Sequence, residues 1–223
     1  MNQLYKSAQD AFRDARNIFC VGRNYAEHAR ELGNAVPERP MIFGKFTHSL
    51  IEAKGDVPVI PDGADLSEIH HELEIVLLFE RDYRPDIDPA SLVGGIALGL
   101  DLTDRTVQNR LKAAGHPWEL AKAFKNSAVV TDFYRVTVFD ALNDIGFSLR
   151  INGRQVQVGY ARDMIFSMTE LTHYVGKTFG LKAGDMLFTG TPEGVGPLAI
   201  GDGLEMFFGD NLWGTCTVAD ATP

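Results

Sequence analysis

The stretch that most restricts the fold is Ile69–Phe79, Ile-His-His-Glu-Leu-Glu-Ile-Val-Leu-Leu-Phe, where a charged cluster runs straight into the apolar residues Ile75 to Phe79. Such a run is short enough for a buried strand and too short for a helix with caps of its own. The period of two along a strand would put Glu72 and Glu74 on one face. Two neighbouring carboxylates at the mouth of an apolar strand repel unless something cationic lies between them. A divalent metal answers that need, and hard oxygen ligands favour magnesium, manganese or calcium over zinc. For an isolated Glu-x-Glu a solvated strand end is the plainer explanation. A second apolar run, Leu92–Leu100, also reads as a buried strand and ends in Asp101. Three carboxylates, Glu72, Glu74 and Asp101, would half-fill an octahedral shell and leave room for water and a chelating substrate. Asp101 has another reading as the cap of the next helix, a role open also to Thr103 or Asp104.

The surrounding chain alternates short apolar runs with turns. Ile18–Gly22 and Met41–Lys45 read as strands, with Pro37 and Pro40 bounding the loop between them and Pro58 and Pro61 punctuating the approach to the central stretch. A short helix is expected from about Tyr25 to Leu32, with Asn24 and Glu27 at the spacing of a capping box and Gly33 as its stop. Its apolar stripe (Tyr25, Ala26, Ala29, Leu32) is thin, which marks it as a candidate mobile lid. His28 and Glu31 are neighbours on its surface at i, i+3. They form either a weak surface pair or an acid–base dyad in which Glu31 orients His28.

Asp104–Ala114 has helical spacing, with Val107 and Leu111 inward and Gly115 at the stop. Arg105 and Gln108 share a face in its first turns and would meet either solvent or a bound anion. Lys122, alone among apolar neighbours, must snorkel or pair with a carboxylate. Asn152-Gly153 signals a type I′ hairpin between Phe147–Ile151 and Arg154–Val158. Glu170–Phe179 reads as a helix with Leu171, Val175 and Phe179 inward. Strand Met186–Thr189 leads into a glycine-rich bend, Thr189–Pro197, where the backbone can approach a ligand closely and Thr191 offers a hydroxyl. Many Gly-Asp turns between short apolar runs argue for a mostly antiparallel β architecture with few helices.

A chain of 223 residues can bury a full core. A net charge of −9 argues against nucleic acid or an anionic membrane as a partner. Cys20 and Cys216 make no disulfide framework and read as small buried apolar residues, so a reducing compartment is the default. The N-terminus lacks a signal-type apolar core and no stretch is long enough to span a membrane, which together point to a cytoplasmic protein.

Four blocks in order resemble the fumarylacetoacetate hydrolase family, specifically its short acylpyruvate-hydrolase-like branch. They are Val21-Gly22-Arg23-Asn24-Tyr25 through His28 and Glu31; His71-Glu72-Leu73-Glu74; Asp101-Leu102-Thr103 with Arg105 and Gln108; and Thr189-Gly190-Thr191-Pro192-x-Gly-Val-Gly. The resemblance covers about Ile18 to Val218 and implies one catalytic domain, with residues 1–17 as an N-terminal extension. It implies a mixed, mostly β fold: a β-roll of curved sheets with a few short helices, usually a homodimer. It further implies that Glu72, Glu74 and Asp101 hold Mg2+ or Mn2+, a site that calcium can fill in a crystal. His28 and Glu31 would be the catalytic dyad on a lid. Arg23, Arg105, Gln108, Lys122 and Thr191 would surround the substrate carboxylate and keto oxygens. Two positions depart from the family pattern, Phe46 where proline often follows the lysine and Thr106 where aspartate often follows the arginine.

The activity expected from this resemblance is hydrolytic carbon–carbon cleavage of a β-diketo acid such as acetylpyruvate or fumarylpyruvate. His28 would activate the attacking water, and the metal, Lys122 and Thr191 would stabilise the pyruvate enolate. Oxaloacetate decarboxylation or keto–enol tautomerisation uses the same enolate without an attacking water. A non-catalytic diacid binder is the rival from another class.

Overall fold

The computed structural model describes residues 3–31, 33, 35–59 and 68–220. At its centre Leu73–Phe79 pairs antiparallel with Val93–Asp101, and every residue of both strands is buried. Successive side chains point to opposite faces, so Leu73, Ile75, Leu77 and Phe79 join one apolar cluster while Val76 and Leu78 join another. A strand covered on both faces needs an unbroken apolar run rather than an alternating one. Gly99 lies opposite Glu74 in this pair, and a Cβ there would come within 2.7 Å of both Phe188 and Val76.

From this pair the sheet grows to nine strands. Beside Leu73–Phe79 come Met186–Phe188, then Ile18–Val21 running parallel to it, then Ile42–Lys45. Beside Val93–Asp101 come Ala128–Val130 and Phe133–Tyr134, which pair in turn with Leu50–Glu52 and Leu4–Lys6. A second sheet of five strands runs Arg154–Tyr160, Gly146–Ile151, Gly203–Phe208, Asn211–Ala219, Lys54–Pro58. Its first hairpin turns at Asn152 and Gly153, with φ of 52° and 78°, the signs that a type I′ turn demands. The result is the expected mixed, mostly β roll of curved sheets with a few short helices. The α-helices among the described residues are Ala8–Asp14, Ala26–Glu31, Arg105–Ala114, Glu119–Lys122 and Met168–Thr178. None is long and apolar enough to cross a membrane. Both cysteines are free and buried.

Several local expectations fail. Ile69–Phe79 is not one strand. Ile69–His71 leaves the central sheet for a small one with Gly196–Pro197 and Thr103–Asp104, and Glu72 sits in the break. Asn24 does not cap the helix Ala26–Glu31, and Glu27 is no capping-box partner. Asn24 is fully buried, donating to Phe166 O and Thr189 O and accepting from Phe166 N, while Glu27 pairs with Arg30. The tertiary partners win because a buried amide must satisfy every polar atom. Phe179 is exposed rather than inward, since the helix ends at Thr178 and Phe179 lies against Phe19 at its rim. Val107 is only half-buried. Leu92 belongs to a 3-10 turn ahead of its strand. The expected positions Leu32 and Pro61 lie outside the described residues.

Candidate active site

The break at Glu72 and the end of Val93–Asp101 bring three acids together. Asp101 N–H donates to Glu72 O, which fixes the two backbones side by side, and Glu74 follows on the buried strand. Carboxylate oxygens of Glu72, Glu74 and Asp101 all lie within 4.8 Å of one another, and all three residues are buried. Asp104, not Asp101, caps the next helix by accepting from Val107 N–H, which leaves Asp101 to the cluster.

Buried carboxylates need cationic partners, and three provide them. Lys122 Nζ donates to Glu72 Oε2 and to Asp101 Oδ2, each at 2.7 Å. Arg105 Nη2 donates to Glu72 Oε1 at 2.6 Å, and the Thr103 hydroxyl adds a bond at 3.1 Å. Lys45 Nζ stands 2.8 Å from Asp101 Oδ1 as an ion pair. The same ammonium also reaches Leu102 O, Lys122 O and Ser127 Oγ. Burial opposes the charge on Glu72, yet Lys122 and Arg105 outweigh it and hold that carboxyl low. Burial likewise opposes the charge on Lys122, and Asp101 and Glu72 overcome it to raise its pKa. Glu74 goes the other way: burial and the repulsion of Asp101 and Glu72 push it well above the usual range, against a 2.7 Å bond from Gly190 N–H. An all-oxygen set of three converging, buried carboxylates fits a hard divalent cation.

The helix Ala26–Glu31 carries His28 within electrostatic reach of Glu72. His28 is 2% exposed, and its Nδ1 lies 3.4 Å from Glu31 Oε2. Burial lowers the His28 pKa, while Glu72 and Glu31 pull it back up. Glu31 also accepts from Gly194 N–H at 3.2 Å. The glycine bend thus grips two acids through its backbone, Glu74 at Gly190 and Glu31 at Gly194. Both glycines have positive φ, 97° and 91°, and a Cβ on Gly190 would lie 2.5 Å from Asn24 Cβ. Only glycine tolerates that combination.

Arg105 and Gln108 are buried neighbours rather than solvated surface, Arg105 Nη1 donating to Gln108 Oε1 at 2.8 Å. Arg105 Nε is buried without a partner among the described residues. Thr106 is exposed, and Arg105 is held by Glu72 and Gln108 without the missing acid. Phe46 is also exposed. Arg23 is half-buried near Lys112. The Thr191 hydroxyl is already engaged: it donates to Leu73 O and accepts from Gln157 Nε2.

Two residues of this network escaped the sequence reading. Gln157, buried on the second sheet, accepts from Leu73 N–H, bonds His71 Nδ1 at 2.9 Å, and donates to Thr191 and to Pro192 O. Lys45 closes the apolar strand Ile42–Lys45, and a cation ending such a strand was its only local signal.

The chain matches the fumarylacetoacetate (FAA) hydrolase C-terminal family model over residues 17–216. It is 42% identical over 195 residues to the oxaloacetate tautomerase YcgM of Escherichia coli, covering 86% of this chain and 87% of that one. The mitochondrial oxaloacetate tautomerase FAHD1 of Arabidopsis thaliana is 39% identical over 195 residues, 86% of each chain. Among solved structures, fumarylpyruvate hydrolase from Pseudomonas aeruginosa, in complex with Mn2+ and pyruvate, aligns with a TM-score of 0.82 at 32% identity, covering 92% of this chain and 90% of that one. Matched along nearly its whole length in both sequence and fold, the chain belongs to the fumarylacetoacetate hydrolase family.

Proposed function

We propose that this protein catalyses the keto–enol tautomerisation of oxaloacetate, with Mg2+ or Mn2+ held by Glu72, Glu74 and Asp101. The observation that carries the reading is the burial of His28, a base within electrostatic reach of Glu72 and shut away from bulk water. Desolvation keeps its imidazole neutral near pH 7, and Glu31 on Nδ1 leaves Nε2 as the basic atom. The two tautomerases at 42% and 39% identity support the same choice.

Tautomerisation moves one proton and consumes no water. His28 Nε2 takes a proton from C3, the C–H electron pair becomes the C2–C3 double bond, and the carbonyl pair moves onto the C2 oxygen. The imidazolium then returns the proton to that oxygen, giving the enol. Glu31 steadies the charged imidazolium in between. A bound divalent ion would supply Lewis-acid stabilisation of the enolate oxygen. Lys122, held in place by Glu72 and Asp101, would add fixed positive charge to that stabilisation. Arg23, Arg105 through its unpaired Nε, and Gln108 would hold the substrate carboxylates. Thr191, its hydroxyl committed to Leu73 and Gln157, would act by holding the bend in place.

A second reading, acylpyruvate hydrolysis, draws on the likeness to the P. aeruginosa fumarylpyruvate hydrolase. It asks His28 to activate a water instead. One experiment separates the two: loss of enol absorbance from oxaloacetate, in parallel with pyruvate release from oxaloacetate, acetylpyruvate and fumarylpyruvate, with Mn2+ and with chelator. Chelator-sensitive enol loss with little pyruvate release is the expected result. Pyruvate released mainly from the acylpyruvates would hand the assignment to the hydrolase, and release from oxaloacetate to a decarboxylase.

A further inference from the structure

Around the acidic cluster the cations divide into two groups. Lys45, Lys122 and Arg105 each pair with Asp101 or Glu72. Lys112 and Arg23 are half-buried on the same side of the molecule, and neither forms an ion pair among the described residues.

Lys112 lies seven residues after Arg105 and four after Gln108, so the three share one helix face. Seven residues are about 10 Å along the axis. The Lys112 ammonium is within electrostatic reach of Arg105 and Glu72. That ammonium sits 5.1 Å from the centroid of the Trp118 ring. Trp118 packs 5.9 Å from Phe43, and Phe43 carries Lys122 Nζ at 5.1 Å. A ladder of cation, indole, phenyl and cation therefore runs from Lys112 to the lysine inside the cluster. Arg23 lies within electrostatic reach of Lys112, and the Gly22 before it approaches the same indole, where a Cβ would stand 3.5 Å from Trp118 Cζ3. Burial, then the nearness of Arg105 and Arg23, brings the Lys112 pKa down to about 8. Positive charge without a counter-charge is unexpected here, half-buried in a chain of net charge −9. It is what a site for an incoming anion requires.

We propose that Lys112, over the Trp118 ring and with Arg23 within electrostatic reach, forms an anion subsite for the second carboxylate of a dicarboxylic keto acid. The keto-acid end would lie at the Glu72, Glu74 and Asp101 cluster. The inference rests on the reading above for that end alone. It makes the protein selective for keto diacids over keto monoacids, with Lys112 as the discriminating residue.

The test is direct binding to the Mn2+-loaded protein by calorimetry. One probe is 3,3-difluorooxaloacetate, a keto diacid with no C3 hydrogen to move; the other is pyruvate, which lacks the second carboxylate. The Lys112→Gln variant should lose about tenfold in affinity for the diacid and bind pyruvate like the wild type. Lys112→Arg, which keeps the charge, should retain most of the diacid affinity. Equal loss for both probes would make Lys112 a structural residue, and no loss for either would place the second carboxylate elsewhere. Both results overturn the subsite. Because the readout is binding, a selective loss upholds the subsite even in a protein that does not tautomerise oxaloacetate. An active tautomerase with no selective loss sinks only the subsite.

Discussion

Replacing Lys122 with methionine tests how the acidic cluster is held. Lys122 is 2% exposed, and its ammonium donates to two buried carboxylates at 2.7 Å each. Methionine keeps the length and apolar volume of the stem but leaves Glu72 and Asp101 short of one positive charge. Removing one partner of a buried pair costs about 3–5 kcal/mol, chiefly because the remaining charge stays desolvated. Arg105 on Glu72 and Lys45 beside Asp101 soften the loss, which favours the lower end of that range. In a chain of this size the melting temperature should fall by about 6–20 °C. The assay is urea unfolding in chelator, for Lys122→Met, Glu72→Gln and the double variant. Glu72→Gln removes the charge that Lys122→Met leaves stranded, so the double variant should be less destabilised than the sum of the singles by more than about 1 kcal/mol. Additive losses, or a Lys122→Met cost below about 1 kcal/mol, would refute the electrostatic account of the cluster.

Other outcomes follow from the same geometry. Because burial lowers the His28 pKa, the acid limb of the pH–kcat/KM profile should fall below the ordinary histidine value of 6.5, with activity lost as pH drops through it. Glu31→Gln should move that limb lower still, since Glu31 raises the pKa; a limb at or above 6.5 would contradict the assignment of His28 as the base. Thr103→Val removes the hydroxyl that donates to Glu72 Oε1, and Mn2+ affinity by calorimetry should weaken by about 10- to 100-fold, as for other outer-shell partners. Unchanged affinity would place the ion elsewhere. Gly190→Ala forces a Cβ to 2.5 Å from Asn24 Cβ at a φ of 97°, and should cost more than about 1 kcal/mol in urea unfolding. A neutral substitution there would show that the bend is not fixed by this contact.

How much of this was legible in the sequence differs from residue to residue. The central strand announced itself because burial on both faces leaves a continuous apolar run. The hairpin at Asn152-Gly153 was equally plain, since positive φ at two successive residues selects that dipeptide. Bringing Glu74 and Asp101 together needed only two buried strands, which local pattern can place. What local pattern missed depends on distant partners. Asn24 has the right neighbours for a helix cap, yet its amide is claimed by Phe166 and Thr189, more than 140 positions away. Gln157 joins His71, Leu73 and Thr191 from the other sheet, and nothing near it in the chain marks it out. Lys45 reaches Asp101 across strands that meet only in the folded protein. The strand break at Glu72 was hidden for the same reason, because Ile69–His71 finds its partners at Gly196–Pro197 and Thr103–Asp104.

The central claim is that His28 moves a proton at C3 of oxaloacetate beside an ion held by Glu72, Glu74 and Asp101. Stopped-flow decay of the oxaloacetate enol tests it most directly, with wild type in Mn2+, wild type in chelator, and His28→Asn in Mn2+. The account predicts fast decay in the first case and a rate lowered by about 10²- to 10⁴-fold for His28→Asn, with chelator also slowing the wild type. Enol decay at the wild-type rate in His28→Asn, or decay indifferent to chelator, would contradict it.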